Sequence, residues 1–172
     1  KQKVLEFNFR TLSPRKMQDP NLNISEILVD ELGLPKAMTI MGKETEADDL
    51  TGLKEHKTTS DDVSISNFFE VNKSFAYDPV DGDAKDLLQH ATARFVYDFD
   101  KYKSTGKPAV VASILREEHS AKNPNSPLQI SFEYSNGLGK VAMKKVQAEA
   151  GIAKQVTVST DGKVTISEAD TS

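Results

Sequence analysis

Short stretches in which apolar and polar residues alternate place the strongest constraint on the fold of this chain. The stretches KVLEFNFRTL, residues 3–12, and LQISFEY, residues 128–134, carry large apolar side chains at every second position. This period of two is typical of strands with one buried face. The stretch PAVVASILREE, residues 108–118, is apolar on both faces in its first half, which is typical of a central strand. The sequence therefore predicts a sheet.

Apolar residues three and four positions apart predict one long amphipathic helix over about 84–103. Its apolar stripe consists of Leu88, Ala91, Phe95, Phe99 and Tyr102. Asp83 is placed to cap the first turn. Two shorter helices are also predicted, one over 24–32 and one over 140–150, and a glycine follows each of them.

The end of the chain predicts a β-hairpin over about 154–168, in which Asp161 and Gly162 form a two-residue turn. The stretches 36–41 and 62–78 have the composition of further short strands. The order lacks the strict alternation of strand and helix that a parallel sheet would need. The predicted class is therefore α+β, with a mainly antiparallel sheet, one long helix, two shorter helices and the C-terminal hairpin.

A length of 172 residues is typical of one domain, so we predict a single domain over 1–172. Within it, the stretch 42–62 is polar and rich in acids, and its sizeable apolar side chains are Leu50 and Leu53. A structureless stretch of that length is uncommon inside a compact domain. We therefore expect 42–62 to be a polar, acidic loop or a mobile, solvated arm.

The composition excludes several kinds of chemistry. The chain has no cysteine, so disulfides, thiolate nucleophiles, zinc–cysteine sites and iron–sulfur clusters are ruled out. The longest strongly apolar run, residues 109–115, is too short to span a bilayer, and the amino end lacks an apolar signal region. We therefore expect a soluble chain without a membrane partner. The compartment, and whether a leader preceded Lys1, are left open.

The stretch SNGLGK has the order of a phosphate-binding element, because a glycine turn separates an alternating run from a lysine. A P-loop would need glycine at the position of Tyr134 and serine or threonine at that of Val141, and neither is present. What remains is an anion held by the 136–140 turn at the start of a helix, with Lys140 as the cation. The alternative is a turn whose glycines serve backbone geometry alone.

Four lysines form a candidate basic patch. The net charge of −4 argues against nonspecific binding of nucleic acid, which depends on clustered basic side chains. On an ideal helix, three of the four would nevertheless share one face. A nucleic-acid-binding module is therefore an alternative, although it is not favoured. The candidate residues, for an anion or for nucleic acid, are Lys140, Lys144, Lys145 and Lys154.

The stretch DPVDGDAKD crowds several carboxylates into one turn. An EF-hand calcium loop has ligands at its first, third and fifth positions and a glycine at the sixth, and no register of this stretch has that spacing. A looser metal site made of Asp78, Asp81 and Asp83 is one hypothesis. The alternative is an acid-rich first turn of the long helix, which the helix dipole favours.

The three histidines do not share a metal-ligand spacing. His119 follows Glu118, so these two have the residue types of a base and its orienting partner. Hydrolysis also needs a nucleophile, and Ser113 lies in a predicted strand without the flanking glycines of a nucleophile elbow. We therefore expect neither an enzyme nor a bound cofactor.

No motif in the chain identifies a family. By elimination, the sequence favours a noncatalytic structural or protein-interaction subunit, whose partner is a copy of itself or a larger particle. The predicted hairpin suits this role, because exposed strand edges pair with strands of other chains. The long polar arm is consistent with the same role. The alternatives are a phosphate- or nucleotide-binding protein that uses the 136–140 turn and the nucleic-acid-binding module.

Overall fold

The computed structural model describes residues 1–42, 47–53, 63–71, 83–147 and 151–170. Within these residues, eight strands form one antiparallel sheet in the order of the chain, from β1 at one edge to β8 at the other. Two further strands form a separate two-stranded sheet. The strands are β1 (Lys3–Asn8), β2 (Ser13–Gln18), β3 (Ile24–Val29), β4 (Pro35–Met41), β5 (Ala93–Asp98), β6 (Val110–Arg116), β7 (Leu128–Ser135), β8 (Val141–Val146), β9 (Ile152–Val158) and β10 (Val164–Asp170).

Three short helices accompany the main sheet in the described part of the chain. They are α1 (Val63–Val71), α2 (Asp83–Leu88) and α3 (Lys101–Thr105), with 9, 6 and 5 residues. Both α1 and α2 contact β5, and α2 also contacts β6. Among the described residues, no helix is long and apolar enough to cross a membrane.

The core lies between helices α1 and α2 and one face of the central strands. Its helical side includes Ile65 and Phe68 from α1 and Leu87 and Leu88 from α2. Its sheet side includes Val96, Ala112, Ile114 and Ile130, which come from β5, β6 and β7. Helices α1 and α2 are therefore held by the apolar area that they bury rather than by their own length.

The long helix predicted over 84–103 is wrong. Helix α2 ends at Leu88, Gln89 has a positive φ of 50°, and the chain then continues as strand β5. The guanidinium of Arg116 binds the backbone carbonyls of Gln89 and Ala91, which satisfies groups at the end of α2. Strand β5 pairs with β6 from Ala93 to Asp98. Pairing in the middle of the sheet outweighs a helical spacing of apolar residues.

The two shorter predicted helices are also wrong, and the class is corrected accordingly. The stretch 24–32 contains strand β3, which pairs with both β2 and β4. The stretch 140–150 contains strand β8, which pairs with β7. The described fold is a mostly antiparallel sheet with three short helices, so the α+β class with one long helix is contradicted.

Strand predictions based on strict alternation are mostly confirmed. Strand β7 places Leu128, Ile130, Phe132 and Tyr134 in or against the core, as the period of two indicates. Strand β6 pairs along its length with β5 and β7, as expected of a central strand. The prediction of strands over 62–78 is wrong for 63–71, which forms α1, and 72–82 lies outside the described residues.

The C-terminal hairpin is confirmed, but its turn is longer than predicted. Strands β9 and β10 pair from Val158 opposite Val164 to Ile152 opposite Asp170. The connection spans 159–163, and Gly162 has a positive φ of 80°. The backbone N–H of Ser159 donates to the carbonyl of Lys163 and closes this loop.

Part of the predicted 42–62 arm is packed into the protein. Leu50 is 6% exposed and Leu53 is 0% exposed, and both belong to the core. Asp48 is also buried. The stretches 43–46 and 54–62 lie outside the described residues. The segment 47–53 is therefore anchored by its two leucines and one carboxylate.

Candidate functional site

Exposed apolar side chains are concentrated at both edges of the main sheet. On strand β1 they include Val4 and Phe7, and on strand β8 they include Val141, Met143 and Val146. Within the described residues, each of these strands pairs on one side only. An edge strand directs unpaired N–H and C=O groups outward, and such groups can pair with a strand of another protein.

Next to its turn, the C-terminal hairpin has one apolar and one polar face. The pairs Val156–Ile166 and Val158–Val164 lie directly opposite each other and so share a face. These four side chains, called here the hairpin face, are each 58–64% exposed. The other face carries the opposed pair Thr157 and Thr165. A face of four β-branched side chains left in water is typical of a surface that another protein covers.

The 136–140 turn connects two strands rather than a strand and a helix. The side-chain oxygen of Asn136 accepts hydrogen bonds from the N–H groups of Leu138 and Lys140, each at 3.0 Å. The N–H of Gly139 donates to the carbonyl of Asn136 at 3.1 Å. These amides are therefore engaged within the turn, and the helix that was expected to hold an anion is strand β8. Anion binding at this turn stays a prediction, but within the described residues there is no helix N-terminus at the turn to support it.

The four candidate lysines do not lie on one helical face. Lys144 and Lys145 are neighbours in β8, so their side chains point to opposite sides of the sheet. The ammonium of Lys144 is 2.8 Å from Glu133, and that of Lys145 is 5.4 Å from the centre of the Tyr134 ring. Lys154 lies opposite Glu168 in the hairpin. The geometric argument for a shared basic patch therefore fails, and nucleic-acid binding stays untested.

The acidic metal hypothesis is untested. Asp78 and Asp81 lie outside the described residues, and Asp83 is the first residue of α2. Within the described ranges, no cluster of three or more acidic or histidine side chains could hold a metal ion.

Asp48 is a buried carboxylate with three partners among the described residues, and sequence reasoning missed it. Its Oδ2 accepts a hydrogen bond from the hydroxyl of Thr92 at 2.6 Å and lies 3.1 Å from Nδ1 of His119. Its Oδ1 accepts from the backbone N–H of Ser120 at 2.6 Å. The carboxylate thus ties the 47–53 segment to the start of β5 and to the loop after β6.

His119 is oriented by Asp48 and not by Glu118, its predicted partner. A buried carboxylate bonded to an imidazole is one half of a hydrolytic triad. The other half needs a hydroxyl at the imidazole, and among the described residues His119 has no hydrogen bond to a serine or threonine. The hydroxyl of neighbouring Ser120 is instead bonded to Nδ1 of His90 at 2.9 Å. The Asp48–His119 and Ser120–His90 contacts therefore hold separate segments of the chain together.

Glu118 contacts Asn123 and Lys122, and these contacts change its pKa. The side-chain amide of Asn123 donates to Oε2 of Glu118 at 2.8 Å. This bond, together with Lys122, lowers the pKa of Glu118 below its ordinary value of 4.5. A depressed folded-state pKa means that the stabilisation is present above pH 4.5 and is lost as the pH falls through the folded value.

The substitution Asn123→Ala is expected to raise the pKa of Glu118 towards 4.5, because the hydrogen bond that favours the carboxylate is removed. Lys122→Met should also raise it, because both the hydrogen bond from Lys122, at 3.4 Å, and its positive charge are removed. NMR titration of the Glu118 side chain measures both shifts. The same pKa in Asn123→Ala as in the unmodified chain would contradict this account.

Comparison with known proteins supports the fold and identifies no family. No family model matches the chain, and no curated protein is similar to it. The crystal structure of TcdB2-TccC3 aligns with 98% of this chain at a TM-score of 0.64 and 19% identity. That of TcdB2-TccC3-TEV aligns with 98% at a TM-score of 0.56 and 14% identity. This chain spans only 7% and 10% of the length of those two chains. At such identities the likeness concerns the fold alone.

Proposed function

We propose that this chain is a noncatalytic structural module that assembles with other protein, either copies of itself or a neighbouring part of a larger particle. The observation that carries the proposal is the hairpin face. Val156, Val158, Val164 and Ile166 are each more than half exposed on one side of a two-stranded sheet. Removing apolar area from water contributes about 25 cal/mol per Å², so covering this face would stabilise a complex with the partner.

Two further features support assembly. Strands β1 and β8 are open edges with exposed apolar side chains, and both edges can extend the sheet into a neighbour. The similar structures, TcdB2-TccC3 and TcdB2-TccC3-TEV, contain the corresponding fold as a small fraction of a much longer chain. A module inside a longer chain can have neighbours at its edges, and the exposed strands β1 and β8 could pair with such neighbours.

Size-exclusion chromatography with light scattering tests this proposal. We expect the apparent mass of the chain to rise with concentration, because the hairpin face associates. The double variant Val156→Lys with Ile166→Lys places two charges on an opposed pair of that face. It should weaken association by at least about a hundredfold, since apolar burial is lost and two ammonium groups would need to be desolvated.

The matched control is Thr157→Lys with Thr165→Lys. These residues are also directly opposed, in the same two strands, but on the polar face. The control should associate as the unmodified chain does. A chain that stays monomeric at every concentration would overturn self-assembly, and two double variants that associate equally would overturn the role of the hairpin face.

A further inference from the structure

A cleft of about 450 Å³ lies on the helical face of the main sheet, beside α3. Its volume is within the range of roughly 300–1,000 Å³ that is typical of small-molecule sites. Phe132 and Tyr134 of β7 lie on the sheet side, and Phe69 of α1 also lines the cleft. Lys101 of α3, Lys107 of the connection after α3 and Lys145 of β8 contribute cations.

The aromatic part of the cleft is fixed by packing against the core. Phe68 stacks on Phe132 with ring centres 5.9 Å apart and planes inclined by 23°. Phe69 meets the same ring at 6.4 Å and 60°. Phe132 and Tyr134 both pack against the core, and burial raises the pKa of Tyr134, so its ring stays neutral. A planar ligand would therefore meet rings whose positions are already set, which lowers the entropy cost of binding.

The charged side chains that line the cleft are lysines, and one of them, Lys101, is also paired with Asp98 at 3.4 Å. Three of the lining side chains are lysines and none is a carboxylate, although the whole chain has a net charge of −4. The ammonium of Lys145 is 5.4 Å from the centre of the Tyr134 ring, and that of Lys101 is 6.0 Å from the centre of the Phe69 ring. Each of these two cations therefore stands beside an aromatic face. A ligand on these rings would bring its substituents within reach of ammonium groups.

We propose that this cleft binds a planar aromatic ring that carries a phosphate group. Stacking on an aromatic side chain is worth about 1–3 kcal/mol and tolerates many kinds of ring. A phosphate monoester carries about −1.5 to −2 charges at pH 7, which matches three lysines, one of them paired with Asp98, better than a single carboxylate charge does. Lysine is a common phosphate ligand because its ammonium is a compact point charge. This site is separate from the 136–140 turn and independent of the hairpin face.

NMR titration of the isotope-labelled chain tests the proposal with four probes: AMP, phenyl phosphate, adenosine and inorganic phosphate. The two aromatic phosphates should bind at least about tenfold more tightly than adenosine or inorganic phosphate, because only they use both halves of the cleft. The resonances of Phe132, Tyr134 and Lys145 should shift. Tighter binding of AMP would identify a nucleoside phosphate as the ligand, and tighter binding of phenyl phosphate would identify a phosphorylated aryl group.

Adjacent lysines of β8 supply a matched pair of variants. Lys145→Gln should weaken binding of the tighter aromatic phosphate by about fivefold or more, because one ammonium is removed from the cleft. Lys144→Gln removes the same charge from the opposite side of the sheet, where Lys144 pairs with Glu133, and should leave the affinity unchanged. Equal losses in the two variants would overturn the proposal. So would the absence of saturable binding by any probe up to about 10 mM.

Discussion

The substitution Asp48→Ala is expected to lower the free energy of unfolding by about 3–5 kcal/mol. Asp48 is 1% exposed, and its carboxylate accepts from the hydroxyl of Thr92 and the backbone N–H of Ser120 and contacts Nδ1 of His119. A hydrogen bond to a charged group contributes about 1.5–3 kcal/mol, and buried donors left without an acceptor keep their desolvation cost. The three contributions share one carboxylate, so their sum is an upper limit.

Urea denaturation followed by circular dichroism measures this loss, and the melting temperature should fall by roughly 10 °C. The variant Asp48→Asn should show an intermediate loss, because its amide keeps one acceptor oxygen but turns an NH₂ group towards a donor. The matched control is Asp49→Ala. Asp49 is exposed, and among the described residues its carboxylate accepts only from the nearby N–H of Thr51. Equal losses in Asp48→Ala and Asp49→Ala would contradict the structural role of Asp48.

The strands that the sequence predicts well are those whose alternation is set by one buried face. Strand β7 is an example, because Leu128 and Ile130 are buried, and Phe132 and Tyr134 pack against the same core. The hairpin could be predicted for a similar reason, since alternation and Asp161-Gly162 are both local signals. In both cases the information lies within one short, continuous stretch of the chain.

The long helix over 84–103 is a wrong prediction because one run of apolar residues at helical spacing covers two different elements, α2 and β5. Leu88 ends α2, and Phe95 lies in the middle of β5. Both faces of β5 contain buried residues, so its side chains do not mark one strand face. The backbone of β5 is satisfied by β6, whose pairing residues lie 12 to 22 positions later in the chain. A local pattern does not contain that pairing.

The candidate sites show the same division between local and long-range information. Alternation of Val156 and Val158 predicts a strand face, but only the structure shows that the described residues leave this face exposed. Asp48 lies in a stretch whose composition predicts a solvated arm. Its partners Thr92 and Ser120 are 44 and 72 residues away. No local pattern distinguishes a carboxylate that meets such partners from a solvated one.

The substitution Leu53→Ala is expected to lower the free energy of unfolding by about 2–4 kcal/mol. Leu53 is 0% exposed and belongs to the core, so its truncation removes buried methyl groups and leaves a cavity. A leucine in a solvated arm would instead contribute almost nothing to the folded state. The size of the loss therefore measures directly how firmly the 47–53 segment is anchored.

Leu138→Ala is the control for Leu53→Ala, because Leu138 is 86% exposed in the 136–140 turn and the same atoms are removed. Its free energy of unfolding should change by less than about 0.5 kcal/mol. Urea denaturation of both variants gives the comparison, and the slope with urea should stay constant if the variants unfold in one step. Equal, small effects would mean that Leu53 is not part of the core. A loss confined to Leu53→Ala would make the 47–53 segment a structural part of the domain, because its leucine would then stabilise the same core that holds the sheet to α1 and α2.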